Sequence, residues 1–180
     1  SLFSRAYIYS KLELNSKAYD DLSHFIQLVP DSYEGYFLRG YVQNNMGRDT
    51  AALKDYKKVL DLNPKHSMTL NNIGYMYCQK GMYDIALDYV NKALQYKKKN
   101  SYAWGSRAEI FFYQKKYEDC INSCNYAIDL EPNNGFYYYW RGFANYKLKN
   151  IDKACTDWKE AAEKGEFKAF DLISKNCNFE

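Results

Sequence analysis

Small residues recur in this chain at a fixed interval of 34. Ala6, Gly40, Gly74, Ala108 and Gly142 form one such track, and Ala18, Ala52, Ala86, Cys120 and Ala154 form a second. A third reads Pro30, Pro64, Lys98, Pro132 and Glu166. A constant period of this length means stacked supersecondary units, each too small to bury its own apolar face. With 47% hydrophobic residues there is material for a continuous core, and only three prolines and nine glycines argue against long loops.

Each unit divides into two helical stretches. In the second unit, Glu34 to Val42 carries apolar residues at helical spacing and stops near Met46-Gly47, where glycine can take the left-handed cap. Thr50 to Leu62 then places Ala52, Leu53, Tyr56, Val59 and Leu60 on one face, the i, i+3, i+4, i+7 pattern. Asn63-Pro64 ends it, because proline cannot donate the next backbone bond. The small tracks predict close approach of two antiparallel helices. Bulky residues pack around that contact: Leu2, Tyr36, Leu70, Trp104 and Tyr138 on the first helix, Leu22, Tyr56, Val90, Cys124 and Trp158 on the second.

A bulky residue, a small residue, an alanine and a closing proline at this spacing resemble the tetratricopeptide repeat (TPR) family. Tyr36, Gly40, Ala52 and Pro64 show it well, as do Leu70, Gly74 and Ala86, and Trp104, Ala108, Cys120 and Pro132. Departures are Cys120 for alanine, and Lys98 and Glu166 for proline. The stretch from Ala154 to Ala162 is similar to the closing segment of many bacterial members. The resemblance implies an all-α fold, a right-handed α-α superhelix of five helix-turn-helix repeats plus a C-terminal capping helix. The expected repeats are 1–32, 33–66, 67–100, 101–134 and 135–166, with the cap over 167–177 and one solenoid domain over 1–180. Ala169, Phe170, Leu172 and Ile173 are expected to cover the last repeat. The register places Ser1 inside a helix already under way, so a fragment of a longer chain is expected.

One residue before each small residue of the first track stand Arg5, Arg39, Ile73, Arg107 and Arg141. Sixteen residues later stand Asp21, Asp55, Tyr89, Ser123 and Asp157. This predicts interhelical Arg–carboxylate bridges in repeats one, two and five, fixing register. Arg107 must find another acceptor.

The resemblance also implies that first helices line a concave side where ligands lie. That face maps to Phe3, Tyr7, Lys11, Glu34, Phe37, Tyr41, Asn44 and Asn45, then Met68, Asn71, Tyr75 and Gln79. It continues through Tyr102, Glu109, Phe112, Tyr113, Phe136, Tyr139, Phe143 and Tyr146. Tyrosine offers large contact area and a hydroxyl at low entropy loss, and amides pair with an extended backbone. The expected function is a non-catalytic scaffold that binds a peptide or partner protein in this groove. The alternatives are a self-association module forming a homo-oligomer, or the recognition arm of a larger assembly or enzyme. Because the chain holds 20 tyrosines, some of these rings are expected to be inter-repeat packing. One subgroup of the family grips chaperone C-terminal carboxylates with lysine and asparagine. Here the matching frame offers Asn72 without the lysine pair, which argues against such a clamp.

Other chemistry is not encoded. A net charge of +3 lacks the basic stripe of a nucleic-acid binder, and Lys97-Lys98-Lys99 reads as a solvated helix terminus. His24 and His66 lie outside any catalytic motif, and no phosphate-cradling loop or HExxH is present. Five cysteines without paired spacing predict no disulfide framework but reduced, buried thiols in a cytoplasmic setting, although a signal peptide ahead of Ser1 stays open. Cys120 and Cys124 share a helix face but have no further ligands at metal spacing, so they are expected in the core. No cofactor or metal is expected, and no apolar run is long enough to span a membrane.

Overall fold

The computed structural model describes residues 1–177. The helices come in pairs: α1 (Leu2–Lys11) with α2 (Asn15–Leu28), α3 (Tyr33–Asn45) with α4 (Asp49–Leu62), and α5 (Ser67–Gln79) with α6 (Tyr83–Tyr96). Then follow α7 (Ser101–Tyr113) with α8 (Tyr117–Leu130), α9 (Gly135–Lys147) with α10 (Ile151–Glu163), and a last helix, α11 (Ala169–Asn176). The chain forms two compact units, Ser1–Ile73 and Gly74 onward, with the boundary inside α5.

The sequence sets the helix ends in a repeating way. First helices open on a side-chain cap: Ser1, Ser32, Asn100 and Asn134 each accept a backbone N–H of the following turn. Ser1 is thus the cap of α1 rather than an interior helical residue. Every first helix closes on a residue at positive φ: Glu13 (57°), Gly47 (71°), Gly81 (74°), Lys115 (62°) and Lys149 (66°), again 34 apart. In each turn paired bonds such as Gly47 N–H to Asn44 O (2.9 Å) and Arg48 N–H to Gln43 O (2.9 Å) cap the orphan carbonyls. Glycine meets this backbone without strain; Glu13, Lys115 and Lys149 adopt it despite their Cβ atoms. Second helices end at Val29, Asn63, Lys97 and Glu131 with closely similar dihedrals. Lys98 therefore replaces proline without altering the turn. The last repeat differs: α10 ends on Gly165 (φ 90°), and the chain turns directly into α11.

In the first unit one buried cluster joins Ala6, Ala18, Leu22, Leu38 and Val42, and Ala52, Tyr56, Val59 and Ile73 are buried as well. In the second, one cluster joins Ala108, Phe111, Cys120, Cys124, Trp140 and Ala144, and another joins Ala154, Trp158, Ala161, Ala162 and Ala169. The small tracks mark close helix contacts. A Cβ on Gly40 would come 2.8 Å from Tyr56, and one on Gly142 would come 2.6 Å from Trp158. Cys120 and Cys124 are fully buried, as expected.

The terminal helix departs from the sequence reading in two ways. Ala169, Leu172 and Ile173 pack on the last cluster, but Phe170 is 56% exposed and stacks on Phe167. The reading of five reduced thiols is corrected: Cys155 and Cys177 are disulfide-bonded, whereas Cys78, Cys120 and Cys124 are free and buried. The partners lie 22 residues apart, on α10 and just beyond α11. The fold of α11 back over α10 joins them, and no local spacing announces it.

Candidate functional site

The arginine track shows how precisely side chains are placed. Arg5, Arg39 and Arg141 each fork onto the aspartate sixteen residues on, at 2.7 Å in every case. The pairs differ in burial: Arg5 is 58% exposed, Arg39 19% and Arg141 24%. Arg141 also donates to Asn125, and Asn145 donates to Asp157. Where the acid is lacking, Ile73 is fully buried and Tyr89 stacks on Tyr77. Arg107 does not find the acceptor expected of it. Its Nε is buried without a partner, and its guanidinium lies over Trp104 and Phe111 at 5.1 and 5.0 Å. Burial lowers its pKa from the ordinary arginine value.

The expected binding residues fall into two groups, one per unit. In the first unit Tyr41 is exposed, Asn45 is exposed and Asn44 is half-buried. Phe37 is half-buried against His66 (4.9 Å) and Tyr56. Asn71 is buried, its Oδ1 without a hydrogen-bond partner. Gln43, which the sequence reading passed over, is also buried with an unpartnered Oε1. Asn72 donates to the Tyr56 hydroxyl (3.2 Å), so its amide is already engaged.

In the second unit the aromatic residues divide between surface and packing. Tyr75, Tyr102 and Tyr113 are exposed. Phe112, Phe136, Tyr139 and Phe143 are half-buried around Trp140, with ring centroids 5.1–6.1 Å from it. Much of the aromatic content at these four positions is therefore inter-helix packing.

Among these rings lies Glu109, only 3% exposed. Its Oε1 accepts from Gln79 Nε2 at 3.1 Å, and its Oε2 is buried without a hydrogen-bond partner. Burial pushes its carboxyl up to about 7, against smaller opposing effects from the Gln79 bond and the charge of Lys168. Tyr75 and Cys78 are pushed up to about 12, first by burial and then by the Glu109 charge. Tyr113 and Tyr139 are raised in the same direction, mainly by burial, with Glu109 contributing. Cys78 and Lys168 were not singled out from sequence. The signal available was the Glu109 track itself, which elsewhere reads Tyr7, Tyr41, Tyr75 and Phe143.

Paired antiparallel helices at a 34-residue period define a helical-repeat protein of the solenoid class. Two tetratricopeptide repeat models match, over residues 33–66 and 55–88. Residues 33–88 thus carry tetratricopeptide repeats, and the fold of the described residues is all-α. No curated protein matches the sequence. Among solved structures, the APC/C hetero-tetramer Cut9–Hcn1 is similar with a TM-score of 0.90 at 17% identity, over 98% of this chain and 36% of that one. Pseudomonas aeruginosa pilF is similar with a TM-score of 0.81 at 17% identity, over 91% of this chain and 75% of that one. The first TPR of Spaghetti (RPAP3), bound to the HSP90 peptide SRMEEVD, has a TM-score of 0.58 at 27% identity, over 61% of this chain and 88% of that one. No helix among the described residues is long and apolar enough to cross a membrane.

Proposed function

We propose that this chain is a non-catalytic interaction scaffold that binds a peptide or an extended segment of a partner protein on its first-helix face. The observation that carries the reading is that Tyr41, Tyr75, Tyr102 and Tyr113 keep 36–51% of their surface exposed on first helices. Neighbouring rings hold part of that face in place, with Tyr113 stacked on Tyr83 at 5.3 Å. Fixed, half-exposed tyrosines lose little entropy on binding. The RPAP3 structure, whose chain holds an HSP90 peptide, supports the class of ligand. It does not support the same end-group chemistry, because Asn72 is engaged by Tyr56.

The test is peptide-display panning on the full chain. Retained peptides should lose binding to a variant carrying Tyr41→Ala, Tyr75→Ala and Tyr139→Ala, provided its far-ultraviolet circular dichroism is unchanged. Equal binding to that variant would move the site off this face. Self-association is a second reading, favoured by the exposed stack of Phe167 on Phe170. Sedimentation over a range of concentrations separates the two, since a monomer at all of them discards it.

A further inference from the structure

We propose that Glu109, with Gln79, Tyr75, Tyr113 and Tyr139 about it, is the subsite for a basic side chain, lysine or arginine, of a bound peptide. This deepens the peptide-binding reading above and rests on it. Three independent observations lead to it.

The first is the break in the track. Tyr7, Tyr41 and Tyr75 are 49%, 43% and 36% exposed, and at the same register Glu109 is 3% exposed. The one acid on an otherwise aromatic track is buried where Tyr75, its counterpart in the same unit, is exposed. The second is an unbalanced carboxylate. Gln79 serves Oε1, and nothing within hydrogen-bond distance serves Oε2. A buried acceptor left without a partner is costly, and a carboxylate more so. A cation that pairs with Oε2 recovers that cost, whereas an anion or an apolar group adds to it. The third is the surrounding chemistry. The phenol rings of Tyr75, Tyr113 and Tyr139 stand within electrostatic reach of the carboxylate. Tyr113 is braced by Tyr83, and Tyr139 by Phe143 at 4.9 Å. Phenols gathered near a carboxylate suit an ammonium or guanidinium, because the hydroxyl oxygens can accept from it and the rings can attract it through cation–π contact. The long stem of either side chain carries its charge past exposed rings to a group beneath them.

The pH response follows. Glu109 faces the Gln79 amide, the Cys78 thiol, the phenols of Tyr75, Tyr113 and Tyr139, and the Lys168 ammonium. Glu109 changes charge near neutrality, at about 7, whereas burial lifts Tyr75 and Cys78 to about 12. A folded-state value raised above that of the unfolded chain means the carboxyl favours folding while protonated. That contribution is full below the unfolded value and is lost as pH rises through about 7. A cation binds the ionised form, so affinity rises over the same window.

The experiment pans a random peptide library on the full chain at alkaline pH. Retained peptides are expected to share a lysine or arginine. The affinity of a synthesised one should fall roughly tenfold or more for Glu109→Gln, which keeps an acceptor for Gln79. It should fall similarly when the basic residue becomes norleucine, and its rise with pH should vanish in Glu109→Gln. Peptides that bind wild type and Glu109→Gln alike, yet lose binding to the tyrosine-to-alanine variant, overturn the cation subsite and leave the peptide face standing. If no peptide is retained, the peptide face falls, and the subsite is judged with N-acetyl-arginine amide. Carbon-13 NMR of the Glu109 carboxyl should then show its titration moving to lower pH, and an unmoved titration overturns the proposal.

Discussion

Arg39→Met and Arg107→Met change the same residue type at the same register of the second and fourth repeats, and the geometry predicts opposite outcomes. Arg39 donates from Nε and Nη2 to Asp55 at 2.7 and 2.8 Å, with its side chain 19% and that of Asp55 6% exposed. Methionine there strands a buried carboxylate, which costs about 3–5 kcal/mol. Arg107 holds no carboxylate: its Nε is buried without a partner, and its guanidinium rests on Trp104 and Phe111. Methionine keeps much of that contact and removes an unsatisfied donor, so the cost should stay within about 1 kcal/mol. Arg39 lies in the first unit and all three tryptophans in the second. Urea unfolding is therefore followed by far-ultraviolet circular dichroism and amide exchange for the first unit, and by tryptophan fluorescence for the second. With an m-value of about 1–2 kcal/mol/M, Arg39→Met should lower the first unit's midpoint by roughly 2 M. Arg39→Met with Asp55→Leu should recover most of that loss. Equal, small effects of Arg39→Met and Arg107→Met would refute the argument that the buried acid, rather than arginine packing, decides the cost.

Two further outcomes follow from the turns and the terminal helix. Lys149 stands at φ 66° where Gly47 and Gly81 stand at 71° and 74°, so Lys149→Gly should raise stability by about 0.5–1 kcal/mol. A thermal midpoint unchanged or lowered would show that this turn carries no left-handed strain. Cys177→Ser, or reduction, opens a link across 22 residues whose loop-closure effect is about 3 kcal/mol. Amides of α11 should then exchange faster while those of α7 to α9 keep their protection, and uniform loss of protection would mean α11 is not a separate flap.

The period was legible because small residues answer to one constraint, the approach of two backbones. Gly40 against Tyr56 and Gly142 against Trp158 tolerate nothing larger, so the track shows through very different neighbours. The Arg–Asp bridges were legible for the same reason, since both partners lie on one repeat and move together along the sequence. The aromatic face was legible only in part. A first helix touches its own partner and the next repeat, so Phe112, Phe136 and Phe143 satisfy the same spacing as exposed Tyr75 and Tyr113 while packing around Trp140. Spacing places a side chain on a helix face; it does not say how much of that face the next helix covers. The disulfide was out of reach because Cys177 meets Cys155 only through the direction α11 takes after Gly165.

In a chain built by repetition, the positions that carry the fold are those that agree, and function gathers where agreement fails. Three of the places where a repeat breaks its own rule have different physical outcomes. Ile73 with Tyr89 replaces an ion pair by apolar burial and stacking, which is self-consistent and needs no ligand. Arg107 without an acid is settled by the aromatic faces of its own helix. Glu109 is not settled: Gln79 answers one oxygen, no hydrogen-bond partner answers the other, and Lys168 and the surrounding phenols act on it only as charges at a distance. The first two exceptions close within the chain, while the third leaves a specific chemical demand that a basic side chain meets. That difference, rather than the abundance of tyrosine, is why the search for a ligand should begin at residue 109.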